Sequence, residues 1–229
     1  MVRYTMTILA FGCSIMHGAE TVTGHQNIEN TKYSYSQLIA DHMGVDCINH
    51  AVCGMSNEGI FHNFFDTIEK HTDISMVLIG WTSHVREYWR CEGRDWFVIP
   101  SWCATTTDVN TPHEFFTDYI DDNIDQHPRI CSDNLDYMPP LGQLYELLLR
   151  YKFDPIEYAK KTKTYTKAVK EYCKSKNIRL IETSAMMEPP ADISMVNLNY
   201  VGNWRKTLGH PTREEHQEIA KQLIEIYKL

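Results

Sequence analysis

Apolar positions along this chain fall into two alternating rhythms. Residues 5–12, with the run Thr7-Ile8-Leu9-Ala10-Phe11 closing on Gly12, are continuously apolar, as a central strand buried on both faces requires. "SYSQLIADHMG" (34–44) then shows helical spacing, with Ser34 as an N-cap and Gly44 as the stop. "VDCINHAV" (45–52) predicts a second strand, broken by Gly54. "SNEGIFHNFFDTIEKH" (56–71) offers Ser56 or Asn57 as a cap and places Ile60, Phe61, Phe64, Phe65 and Ile68 on one helical face. "DISMVLIGW" (73–81) is a third strand that again closes on a glycine. Further on, 154–177 predicts a long helix, "IRLIETS" (178–184) a strand, "AMMEPPADISMVNLNYVGNW" (185–204) a loop, and 211–229 a terminal amphipathic helix with His216 on its solvated side.

Strands alternating with helices predict an α/β domain with a parallel sheet and right-handed crossovers. In such sheets ligands bind at the carboxyl ends of the strands. The junctions at 12–14, 53–57 and 80–83, each combining glycine with small polar residues, are therefore expected to converge on one site. Residues 84–155 break the alternation and are expected to be an insertion of helices and loops within a single domain of 1–229, placed to act as a lid.

With 229 residues, 43% of them apolar, the chain can bury a substantial core. Its net charge of −8 argues against a general binder of nucleic acid or anionic membrane. The basic run "KKTKTYTKAVKEYCKSK" (160–176) reads as the solvated face of a helix. No apolar segment approaches the roughly 20 residues needed to span a bilayer, and the first apolar run is too short for a signal peptide. Seven cysteines without CxxC spacing suggest reduced thiols and a cytoplasmic protein. The eleven histidines show no metal-ligand spacing, and no phosphate-loop motif occurs, so neither metal nor other cofactor is expected.

Four short blocks stand in a telling order: Gly12-Cys13-Ser14 with Gly18, Gly54 in "AVCGMSN", Gly80-Trp81-Thr82, and His210-Pro211 just before the last helix. In this arrangement the chain resembles the SGNH (GDSL-like) hydrolases, as a divergent member. The resemblance covers most of the chain outside the insertion. It implies a three-layer α/β/α, flavodoxin-like parallel sheet with Ser14 as nucleophile and His210 as general base. The oxyanion would be held by the N–H groups of Ser14 and Gly54. Two signature side chains differ: Thr82 stands in place of the asparagine, and Thr207 in place of the aspartate before the histidine.

Ser-His catalysis needs a hydroxyl within reach of an imidazole and donors aimed at the developing oxyanion. Thr82 is a shorter third donor than asparagine, with Ser83 beside it, and losing one such donor typically costs about 10²–10³ in rate. Orientation of His210 falls to a backbone carbonyl, Asp192 or Glu188. Arg86 and Arg90, four apart on one face if helical, are candidates to hold a substrate carboxylate or phosphate, or to form a surface ion-pair face. Trp81 and Asn57 are further substrate-contact candidates. Trp89, Trp96 and Trp102 would wall a cleft or pack among themselves. The resulting expectation is hydrolysis of a small-molecule or glycan ester through an acyl-enzyme. The ordinary alternatives are a capping role for Ser14, a helix-entry role for His210, Cys13 as a buried filler or a thiol nucleophile, and a non-catalytic binding protein that retained the fold.

Overall fold

The structure, a computed structural model, describes residues 6–24, 26–82, 87–91, 94–98, 155–184, 196–198 and 210–229. Strand β1 (Thr7–Gly12) is followed by a one-turn helix α1 (Ser14–His17), a 3-10 turn (Ile28–Tyr33) and α2 (Tyr35–Met43). Then come β2 (Asp46–Asn49), α3 (Asn57–Ile68), β3 (Ile74–Trp81), β4 (Glu87–Cys91) and β5 (Arg94–Val98). The described part closes with α4 (Pro155–Ser175), β6 (Arg179–Ser184), β7 (Val196–Asn197) and α5 (Arg213–Tyr227).

The main sheet has five strands in the order β2-β1-β3-β6-β7, and every pairing is parallel. The order reverses direction between β1 and β3, which is the flavodoxin-like arrangement with its switch point beside β1. Burial explains the sequence pattern. β1 is covered on both faces and is apolar throughout, whereas the edge strand β2 alternates exposed and half-buried residues.

Successive residues of each central strand feed two separate cores. Ile8, Ala10, Met76, Leu78 and Ile181 pack against α1, α2 and α5, through residues such as Met16, Ile39, Ile219 and Leu223. Leu9, Phe11, Val77, Ile79 and Trp81 pack against α3 and α4, through Ile60, Phe64, Val169 and Cys173. The expected three layers are present. Caps match the sequence at both helices that precede the switch point: Ser34 accepts from the Gln37 N–H, and Ser56 rather than Asn57 caps α3 by accepting from Gly59.

Two expectations need correction. Within 84–155, β4 and β5 form an antiparallel pair with Trp89 opposite Trp96, so Arg90 lies on a strand and not on a helix shared with Arg86. The stretch before α5, expected as loop, contributes β7, which pairs with β6 through Thr183–Val196 and Ser184–Asn197. The rest of the 84–155 segment, including Trp102, lies outside the described residues.

Candidate active site

Gly12 ends β1 because nothing larger fits. A Cβ there would lie 2.6 Å from Met16 Cβ and 3.0 Å from the Gly80 carbonyl, so the missing side chain lets α1 fold directly onto the strand end. Cys13 is the N-cap, in extended backbone and without a side-chain cap bond, and Ser14 is the first helical residue. The capping alternative for Ser14 is thereby set aside. Cys13 is buried, and Ser14 is only 6% exposed. Among the described residues the Ser14 hydroxyl makes no hydrogen bond, while its carbonyl accepts the N–H groups of Gly18 and Ala19, both at 3.0 Å.

The chain leaves α1 through a tightly held loop. Gly18 is left-handed (φ +82°), and a Cβ on it would meet the Asn30 carbonyl at 2.8 Å. Glu20, a non-glycine, is also left-handed (φ +67°), and its N–H donates to the Gly24 carbonyl at 2.9 Å. Asn30 pins this loop from beneath. Its Oδ1 accepts from the N–H groups of Val22 (2.8 Å) and Thr23 (3.2 Å). Its Nδ2 donates to the carbonyls of Thr23 (3.1 Å) and Gly24 (2.9 Å). The Thr21 hydroxyl adds bonds to the carbonyls of Gly18 and Asn30.

The start of α5 docks on the same loop. His210 Nδ1 lies 3.0 Å from Glu20 Oε2. Since an ionised carboxylate can only accept, Nδ1 carries the proton in this pair and Nε2 of a neutral ring keeps its lone pair. The pair is half exposed on the glutamate side (46%), so its contribution to folding is only about 0–1 kcal/mol. Arg213 Nε donates to the Thr21 carbonyl at 2.6 Å, and its guanidinium lies 3.8 Å above the Tyr33 ring. Thr212 caps α5 reciprocally with Glu215.

His216 corrects the sequence reading: it is wholly buried, stacked on Tyr35, and its Nδ1 accepts the Tyr35 N–H at 3.3 Å. Burial, with a smaller effect from His210, lowers its pKa to about 3, so it is a neutral core residue. Tyr35, also buried, sends its hydroxyl to Thr183 Oγ1 at 3.1 Å, and burial raises its pKa.

The second junction is tied to the first by the Val52 N–H on the Gly12 carbonyl at 3.1 Å. Gln26 Oε1 accepts the Cys53 N–H at 2.6 Å. Gly54 follows in the left-handed region (φ +79°), and its N–H makes no hydrogen bond among the described residues. The third junction is tied to the second through Asn57, which binds the backbone of Thr82. All three junctions therefore meet at one sheet edge, with Thr82 wholly buried there.

Two candidate substrate contacts belong instead to the framework. Trp81 is fully buried in the core beneath α3 and α4, its Nε1–H donating to Glu182 Oε1 at 2.8 Å. Asn57 is 3% exposed and its amide is engaged with Thr82 and Thr162. Arg86, Ser83, Glu188, Asp192 and Thr207 lie outside the described residues.

No family model and no curated sequence matches the chain. Solved structures that resemble it are carbohydrate esterases and lipolytic proteins of the G-D-S-L family. One is a carbohydrate esterase described as having divergent catalytic and non-catalytic binding functions, at 14% identity and a TM-score of 0.44; the match covers 97% of this chain and 64% of that one. A psychrotrophic esterase from Pseudoalteromonas sp. matches at 12% identity and a TM-score of 0.38, over 97% of this chain and 99% of that one. A member of the lipolytic G-D-S-L family from Veillonella parvula matches at 11% identity and a TM-score of 0.37, over 97% and 98% respectively.

Sequence reading had no access to Glu20. It sits in a polar loop, and only the left-handed backbone and the arrival of His210 from the far end of the chain give it a partner. Gln26 and Asn30 carry no sequence signal either, because their amides bond backbone groups of other loop residues. Among the described residues, no group of three or more His, Cys, Asp or Glu side chains is placed to hold a metal ion, and no helix is long and apolar enough to cross a membrane.

Proposed function

We propose that the protein is a serine hydrolase that cleaves an ester, with Ser14 as nucleophile and His210 as general base. The observation that carries this reading is the docking of His210 onto the loop that follows α1, the helix opened by Ser14, through Glu20 at 3.0 Å. Ser14 Oγ gives its proton to His210 Nε2 and attacks the ester carbonyl carbon. The resulting oxyanion is held by the N–H groups of Ser14 and Gly54, with the Thr82 hydroxyl as third donor. Collapse of the tetrahedral species expels the alcohol, which takes the proton from His210. Water, deprotonated by the same imidazole, then releases the acid and restores Ser14. The substrate is a small-molecule or glycan ester, and seven cysteines without CxxC spacing fit a cytoplasmic setting.

The complete burial of Thr82, where the resemblance places a longer asparagine, favours a second reading: a binding protein that kept the fold and lost its turnover. One experiment separates the two. A fluorophosphonate probe should phosphonylate Ser14, located by mass spectrometry, and fail to do so in His210→Ala. Folded protein that takes up no probe would transfer the assignment to the binding reading.

A further inference from the structure

We propose that Glu20 is the positioning carboxylate of His210, supplied from the loop next to the nucleophile's helix in place of the aspartate whose position Thr207 occupies. The proposal rests on the serine-hydrolase reading. A general base of this kind works only if its Nε2 is free of a proton and aimed at the serine, and a carboxylate on Nδ1 secures both. Thr207 has a hydroxyl and no charge, so it cannot stabilise the imidazolium that forms when His210 takes the proton from Ser14. Glu20 Oε2, 3.0 Å from Nδ1, can.

The backbone around Glu20 supports the assignment. A left-handed non-glycine is disfavoured and persists only where its surroundings enforce it. Here Asn30 is fully buried and holds the following loop at four backbone groups, and the Glu20 N–H is engaged with Gly24. That network fixes the direction in which Glu20 leaves the loop. Arg213, bound to the neighbouring Thr21 carbonyl, fixes the other partner's helix to the same loop. Nucleophile, carboxylate and base are therefore linked to one clamp, and the carboxylate and base are held at hydrogen-bonding distance.

The test compares wild type with Glu20→Gln, which keeps shape without charge, and Glu20→Asn, which tolerates left-handed backbone but is too short to reach His210. Two quantities are read: the rate of Ser14 phosphonylation and the tautomer of the His210 ring by nitrogen-15 NMR, assigned with His210→Ala. The expected result is a loss of about 10–100-fold in rate in both variants. That is less than at a fully buried triad, because the carboxylate is half exposed. The wild-type ring should be protonated on Nδ1, and the Asn variant should lose that preference. Labelling within twofold of wild type in both variants would overturn the role of Glu20 while leaving the hydrolase reading intact. Slower labelling of Glu20→Asn with an unchanged tautomer would also overturn it, as the effect would then be structural. Absence of label on Ser14 in wild type would remove both.

Discussion

Asn57 grips Thr82 by both ends of its amide: Oδ1 accepts the Thr82 N–H at 2.8 Å, and Nδ2 donates to the Thr82 carbonyl at 3.0 Å. The first residue of α3 thus completes the backbone bonding of the residue that leaves β3, at a point where the ladder with β6 has ended. A side chain takes the place of a strand partner, and the second and third junctions become one rigid unit.

Asn57→Ala should therefore be costly. It would remove both Asn57 bonds to the backbone of the buried Thr82, at about 1–3 kcal/mol for each group that finds no other partner. A loss of about 2–3 kcal/mol in urea unfolding is expected, together with slower phosphonylation of Ser14 as Thr82 shifts. Stability within 0.5 kcal/mol of wild type would show that the clamp is dispensable.

Gly12→Ala tests the other end of the same edge. The added methyl would sit 2.6 Å from Met16 Cβ and 3.0 Å from the Gly80 carbonyl, neither of which is the free end of a flexible side chain. Relief requires α1 to move off β1. A destabilisation of about 1–3 kcal/mol is expected, with a larger proportional fall in Ser14 labelling than in any variant remote from α1. Unchanged melting and labelling would mean that α1 is not seated on the strand as described.

The sheet was legible because its strands carry continuous apolar runs and its helices carry clean caps. Ser34, Gly44 and Ser56 stand where the helix limits fall. What escaped had specific causes. The polarity of histidine suggests a solvated position for His216, yet it shares the helical face of Ile219, Ala220 and Leu223, at spacings of three, four and seven. β7 has only two residues, too few for any periodicity. The β4–β5 pair was obscured because Arg86 and Arg90 mimic a helical spacing. The nucleophile and base were legible as blocks, whereas Glu20 depends on a contact between residues at opposite ends of the chain.

The buried His216 and the half-buried His50 make the fold sensitive to acid. His216 has a pKa of about 3 and His50, stacked on Phe11 and 3.2 Å from His71, one of about 4; burial is the main cause for both. Both values lie below the ordinary value near 6.5, so between these limits the unfolded chain binds more protons. The contribution of these two histidines is therefore complete above about pH 6.5 and is lost as pH falls towards 4 for His50 and towards 3 for His216, with His216 contributing up to about 1.4 kcal/mol per pH unit. His216→Gln should be less stable at neutral pH, having lost the stack on Tyr35, but its stability should fall less steeply from pH 6.5 to 4. Parallel curves for variant and wild type would exclude His216 as the source.

Glu182 gives the opposite sign. It is buried beside Trp81, and burial raises its pKa above the ordinary carboxylate value, against the opposing hydrogen bond from Trp81 and the charge of Lys170. As pH rises past about 4.5 the unfolded chain releases this proton first, so the residue's stabilising contribution declines until the folded chain releases it too. Glu182→Gln keeps an acceptor for the Trp81 Nε1–H and does not titrate. Relative to wild type it should gain stability as pH rises above about 4.5, and a difference that does not change with pH would refute the assignment. Trp81→Phe, which strips the carboxylate of its donor, should cost more than Glu182→Gln at pH 7. Combining Trp81→Phe with Glu182→Leu should recover part of that loss, because replacing both partners removes the buried polar group instead of stranding it.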